Sequence, residues 1–152
     1  MKSLNSLLLC QYLDANLETP NMQIHFIIIG VSLMVLALIH IVFPKYFKWK
    51  EELKSLSLIN KQMMTIHTFF IALAVFLMGL LCISSAHELV HSKLGKLISL
   101  GLGIFWTFRL FIQFFGYSSQ LWKGKKFETI IHIVFSGYWI YICSIFWFNY
   151  LY

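Results

Sequence analysis

The sequence predicts an all-α integral membrane protein, an antiparallel bundle of four transmembrane helices. Three observations predict this class. Of the 152 residues, 59% are hydrophobic and only 12% are charged, whereas a soluble domain carries about 25% charged residues. The mean hydropathy is +0.76, and four apolar stretches each have the ~20 residues that a helix needs to cross the hydrocarbon core. A chain this short leaves no room for a soluble domain, so residues 1–152 are predicted to form one domain.

The first 21 residues are mixed in character and precede the first apolar stretch. The leucines at 7–9 after Lys2 imitate a signal peptide, but the apolar run is too short and no small-residue cleavage site follows. We therefore expect residues 1–21 to form an outer surface segment, with translation starting at Met22 as the alternative.

Four spans follow, at about residues 23–43, 63–84, 97–117 and 129–150. Pro44 is predicted to end the first, because proline removes a backbone hydrogen bond from a helix. The next connector, 45–62, is predicted to be a solvated segment with aromatic anchors or a short interfacial helix. Small residues predict close helix packing on spans two and three: Ala72, Ala74, Gly101 and Gly103. The aromatic residues of span four are predicted to form mostly an interfacial belt, with an inward-facing Tyr138 or Trp139 as the alternative.

The basic residues predict the orientation. The formal net charge is +6, but the lysines lie in short loops, where positive charge marks the cytoplasmic side of a membrane, so we expect no nucleic-acid partner. The connectors 45–62 and 118–128 hold eight lysines and the opposite side holds three. Both loops are therefore predicted to be cytoplasmic and both termini to be outside, in a bacterial-type inner (plasma) membrane. The lipid bilayer is the expected partner.

Polar side chains recur at one predicted depth, near the cytoplasmic end of every span. His40, His67 and His132 each lie roughly 6 to 8 Å inside that boundary at the helical rise of about 1.5 Å per residue. Gln113 falls at a similar level, and Arg109 lies one turn deeper on the same face. In an up-and-down bundle all five point to a shared interior.

Three functions fit this set of residues. The favoured one is a redox or electron-transfer role, with His40, His67 and His132 as ligands of haem b or a transition metal, and Arg109 and Gln113 completing the cofactor site. The second is transport of protons or a small anion through the same polar core. The third is a structural or assembly subunit of a larger membrane complex. Quinone, another membrane subunit and a second copy of the chain are candidate partners. No catalytic residue is assigned, and whether the protein is an enzyme stays open.

A second group of histidines lies in the polar loop predicted at 85–96. His87, Glu88 and His91 spell His-Glu-Leu-Val-His, in which two histidines one helical turn apart hold zinc and the glutamate acts as a base. A serine three positions before Glu88 also fits a capping box. Later spans lack an acidic ligand, so we do not favour a protease. Metal binding by His25, His87 and His91 is the remaining expectation.

Overall fold

The computed structural model describes residues 2–118, 122 and 124–152, and the side chains within those ranges from residue 21 onward. These residues form helices and turns and no β-strand, which confirms the all-α class. The helices are α1 (Lys2–Ile39), α2 (Phe43–Tyr46), α3 (Trp49–Glu52), α4 (Leu58–Ser84), α5 (Ala86–His91), α6 (Lys93–Phe115) and α7 (Lys126–Leu151), with a 3₁₀ turn at Leu53–Ser55.

Within the described ranges, four helices are long and apolar enough to cross a membrane. They are Asn21–Ile39 of α1, Leu58–Ser84, Lys93–Phe115 and Lys126–Leu151. At most 33% of the apolar stretch of any of them is buried inside the protein. Most of their apolar surface therefore faces outward, as it does in helices that are solvated by lipid. The prediction of four helices that are long and apolar enough to cross a membrane is confirmed.

The first span ends earlier than predicted because the backbone changes its hydrogen-bond pattern ahead of Pro44. From His40 to Phe43, each amide donates to the carbonyl three residues before it. An α-helical path would bring the proline ring against the carbonyl four residues earlier. Pro44 instead lies in the first turn of α2, so α1 stops at Ile39. At its other end the α1 backbone is helical from Lys2, and the surface location of residues 1–21 stays a prediction.

The chain divides into two compact units. The α1–α4 unit comprises Ile24–Ala86, and the α6–α7 unit comprises Met1–Gln23 with His87–Tyr152.

In the α1–α4 unit, α1 and α4 meet at a pair of glycines. A Cβ atom added to Gly30 would lie 2.7 Å from the Gly79 carbonyl oxygen, and one added to Gly79 would lie 2.7 Å from the Gly30 oxygen. Backbones approach this closely only where side chains are absent, which is how membrane helices gain packing energy. The predicted close-packing position Ala74 is instead exposed, because the buried residues of α4 are Val75, Gly79 and Cys82.

In the α6–α7 unit, the two long helices pack along their lengths. Gly103 of α6 lies against α7, where an added Cβ would meet Phe146 at 3.5 Å. Gly101 has no neighbour within 4 Å of such an atom, so the close packing predicted for it is wrong. A shift of two positions turns a residue about 200° around a helix, to the opposite face.

One buried asparagine joins three elements of the same unit. The Asn149 side-chain amide nitrogen on α7 donates to the Leu89 carbonyl oxygen at 2.9 Å and to the Ser99 hydroxyl at 2.8 Å. Asn149 is 4% exposed and Ser99 is fully buried. The bonds tie α5, α6 and α7 together at the end of the unit that contains the C-terminus.

The connectors differ from their predictions in part. Residues 45–62 contain the end of α2, all of α3, the 3₁₀ turn and the first turn of α4, so they do not form one continuous helix, and their position relative to the membrane interface stays a prediction. Lys48 has left-handed backbone angles, φ 48° and ψ 42°, and separates α2 from α3. The loop expected at 85–96 contains α5 and the start of α6. The segment 118–128 falls partly outside the residues that the structure describes.

Candidate functional site

Arg109 is held on α6 by one hydrogen bond and two aromatic rings. Its Nη1 donates to Gln113 Oε1 at 3.0 Å, one turn along the same face, as the spacing of the two residues predicts. Its guanidinium carbon lies 4.9 Å from the centre of the Trp139 ring and 5.8 Å from that of Tyr117. A cation over an aromatic face is attracted by the ring quadrupole. The arginine is half-buried and Gln113 is 6% exposed.

The positive charge of Arg109 has no acidic partner among its described contacts, which are Gln113, Trp139 and Tyr117. A guanidinium carries N–H donors on all three of its nitrogens, and only one of them is engaged by Gln113. Arg109 therefore presents a positive charge together with guanidinium N–H groups that Gln113 does not engage.

His132 of α7 joins this group through the backbone of Gln113. Its Nε2 lies 3.2 Å from the Gln113 carbonyl oxygen. A carbonyl can only accept, so Nε2 carries the proton and donates. The imidazole stacks on Trp122, with ring centres 4.0 Å apart. Gln113 thus contacts Arg109 with its side chain and His132 with its main chain. We call Arg109, Gln113, His132 and Trp139 the Arg109 site.

Trp139 of the Arg109 site stacks on a second tryptophan, Trp106, and the indole N–H groups of both are buried donors. The rings of Trp106 and Trp139 stack with their centres 4.9 Å apart and their planes at 13°. The residues are 2% and 3% exposed, and neither indole N–H has a hydrogen-bond partner within residues 2–118, 122 and 124–152. Trp139 is buried, which bears out the alternative that one of Tyr138 and Trp139 faces the interior. Trp106 was not singled out, although its place three positions before Arg109 puts it on the same helical face.

His40 and His67 belong to the α1–α4 unit and resemble each other. The Nδ1 atom of His40 lies 2.7 Å from the Leu36 carbonyl oxygen, and that of His67 lies 2.7 Å from the Met63 oxygen. Both rings therefore carry the proton on Nδ1, which leaves a lone pair on Nε2 in the neutral form. His40 is half-buried and His67 is exposed.

No metal centre of three or more ligands occurs in the described part of the chain, whether from His, Cys, Asp or Glu. His87 and His91 do adjoin on α5, with ring centres 4.5 Å apart, so the motif lies on a helical turn. The Nε2 atom of His91 lies 3.3 Å from the side-chain amide nitrogen of Gln23. His25, the third expected ligand, belongs to the α1–α4 unit.

Comparisons with known proteins find no relative. No family model, no curated protein and no solved structure matches this chain. The candidate residues are therefore assigned from their contacts and chemistry alone.

Proposed function

We propose that this protein binds an anion within the membrane, at the Arg109 site. The observation that supports the proposal is the Arg109 guanidinium, which lies on a membrane-crossing helix with no carboxylate among its contacts. Placing an arginine at the centre of a span costs about 3 kcal/mol on insertion scales. A cation–π contact offsets about 1 kcal/mol of this cost but does not neutralise the charge of Arg109, whereas a bound anion does.

The neighbours of Arg109 suit such a role. Gln113 accepts from one guanidinium nitrogen and so fixes the direction in which the others point. Trp139 supports the guanidinium from its ring face. His132 is fixed by its own bond to the Gln113 carbonyl, so α7 holds the backbone of the residue that orients Arg109. This arrangement of side chains suits an anion that stays bound as well as an anion that is transported.

The arrangement in the membrane is part of the proposal. We propose an antiparallel four-helix bundle in a bacterial-type inner membrane, with loops 45–62 and 118–128 in the cytoplasm and both termini outside. The excess of lysine in these loops supports that orientation. Residues 1–21 then form the outer surface segment of a single domain.

Haem or metal binding for electron transfer is the second candidate, and one observation favours it. His40 and His67 each donate from Nδ1 to a backbone carbonyl, as metal-ligating histidines do through their second nitrogen. Their Nε2 atoms are the proposed ligands, with His132 as a third candidate and Arg109 as the partner of a haem propionate. Quinone, another membrane subunit or a second copy of the chain would then exchange electrons with it.

Anion binding is tested with the purified full-length protein by equilibrium dialysis against labelled acetate, laurate, phosphate and chloride. We expect at least one of these anions to bind wild type, and Arg109→Gln to weaken that binding about a hundredfold, since the charged partner of a buried pair is lost. Lys96→Gln is the matched control, because the Lys96 amine donates to the Tyr152 backbone oxygen outside the site.

The binding and flux measurements distinguish anion binding, anion transport and a structural role. Equal binding by wild type and Arg109→Gln overturns it. Flux of the bound anion into proteoliposomes identifies a transporter, and its absence identifies a binding protein. If neither binding nor flux occurs and Arg109→Gln only lowers stability, the structural or assembly role is correct.

Absorption spectra and elemental content of the same preparation test the second candidate. We expect a Soret band or stoichiometric metal that disappears in His67→Ala and persists in His87→Ala. Protein expressed with iron and haem supply that shows neither signal overturns haem and metal binding.

A further inference from the structure

The unpaired donors around Trp139 indicate which anion fits the Arg109 site. Trp139 contacts both the Arg109 guanidinium and the Trp106 ring, so it connects the two residues. Both indole N–H groups are buried and have no hydrogen-bond partner among the residues that the structure describes. An unpaired buried donor costs about 1–3 kcal/mol, so two of them on stacked rings, one of which lies beside a cation, need an explanation. An acceptor supplied by a ligand provides one.

The donor set defines the headgroup. Guanidinium and indole nitrogens only donate, so the group that meets them must be an acceptor. An alcohol or an amine would bring donors of its own and leave them unpaired. A planar group with two oxygens suits a guanidinium best, because it accepts two parallel N–H bonds.

The charge count separates a carboxylate from a phosphate. Arg109 is the single formal cation among the described contacts of the site. A carboxylate carries one negative charge and cancels it. A phosphate dianion would leave a net negative charge in apolar surroundings, which is costly. The apolar faces beside Arg109, including Phe108 and Ile112, are exposed and suit an alkyl chain more than water.

We infer that the ligand of the Arg109 site is a monoanionic carboxylate that accepts hydrogen bonds from the Arg109 guanidinium and from the indole N–H groups of Trp106 and Trp139. The inference rests on the proposed anion binding and deepens it. Three sources offer the same headgroup: an alkyl-chain acid dissolved in the membrane, a small soluble acid, and a haem propionate.

Competition against labelled laurate in nanodiscs tests the headgroup. We expect laurate to bind about tenfold or more tightly than dodecanol, dodecylamine or dodecyl phosphate, since a tenfold change corresponds to one good charge-assisted bond. Acetate and haem are included as competitors. Tightest binding by laurate or acetate identifies the alkyl acid or the small acid as the source, and tightest binding by haem that Arg109→Gln weakens identifies the propionate; each of these results supports the carboxylate.

Single substitutions test the indole donors. Trp106→Phe and Trp139→Phe keep an aromatic ring and remove the N–H, and each is expected to weaken carboxylate binding about tenfold. Trp147→Phe is the matched control and should bind as wild type, because the Trp147 N–H already donates to the Thr107 hydroxyl at 3.0 Å.

Nitrogen-15 spectra of the wild-type indole N–H groups test the same donors without a substitution that could disturb the ring stack. The Trp106 and Trp139 signals should move downfield on addition of laurate, and the Trp147 signal should not. Carboxylate binding with both signals unmoved overturns the inference, as does binding of dodecyl phosphate at least as tight as that of laurate. In either case Arg109-dependent binding preserves the proposed function, which fails if no anion binds or if Arg109→Gln binds the anion as tightly as wild type.

Discussion

At the scale of single residues, buried polar side chains of α6 and α7 fall into two groups. The Asn149 amide nitrogen donates to both the Ser99 hydroxyl and the Leu89 carbonyl. Trp106 and Trp139 are equally buried, but within the described part of the chain their N–H groups have no hydrogen-bond partner. A satisfied polar group stabilises a fold, and an unsatisfied one weakens it. The first group is therefore structural, and the second is where a ligand would restore the missing bonds.

Asn149→Ala removes both bonds of the amide and leaves the Ser99 hydroxyl and the Leu89 carbonyl with one partner fewer. We expect a loss of about 1–2 kcal/mol in the free energy of unfolding, since side-chain hydrogen bonds between membrane helices are worth no more than this. Unfolding by a denaturing detergent measures it. Asn60→Ala is the control, because Asn60 is exposed and should change little. Equal stability of the two variants would show that the amide contributes nothing.

At the scale of elements, the contact between α1 and α4 depends on two residues that have no side chain. The distance of 2.7 Å from an added Cβ on Gly79 to the Gly30 carbonyl oxygen is shorter than any real carbon contact of this kind. The obstacle is backbone, which cannot rotate aside as a side chain would. The helices must therefore separate to admit even a methyl group.

Gly79→Ala is expected to destabilise the α1–α4 unit by about 1–3 kcal/mol, the usual cost of overpacking. The loss should appear as a lower midpoint of thermal unfolding in detergent. Gly137→Ala is the control, because an added Cβ there meets nothing within 4 Å and alanine is the better helix former. A Gly79→Ala midpoint that matches the control would mean that α1 and α4 do not pack at this glycine pair.

Elements were predictable from sequence to the extent that local patterns determine them. Apolar runs of sufficient length predicted all four spans, and the spacing of Arg109 and Gln113 predicted their shared face. The end of the first span was misplaced because Pro44 acts through the carbonyls before it, and the helix tightens as early as His40. The contact of Asn149 with Ser99, 50 residues apart, depends on the register of α6 against α7. No local pattern contains that register, and the Trp106 and Trp139 stack was missed for the same reason.

At the scale of the whole molecule, the proposed orientation is testable by chemical labelling of cysteines. Single cysteines replace two exposed residues, Lys50 in the first connector and Glu88 on α5, in a Cys10→Ser background. Because lysine-rich loops stay in the cytoplasm, a membrane-impermeant maleimide should label Glu88→Cys in intact cells and Lys50→Cys only after permeabilisation.

Cys82 and Cys143 are buried and provide the internal control, since neither should react in the folded protein. The reverse labelling pattern would mean that the protein is inserted the other way round. Labelling of both sites from one side would mean that α4 does not cross the membrane.

The uneven packing of α4 has a consequence for the way in which the bilayer acts on the protein. Its buried residues all lie in its second half, at Val75, Gly79 and Cys82. From Met63 to Ala74, the part of this half that lies within the predicted span, the helix has no buried residue, so in the proposed membrane arrangement this segment is covered by lipid rather than by protein. In that arrangement a change in acyl-chain length or fluidity acts directly on these roughly three turns of α4, because lipid is their main neighbour.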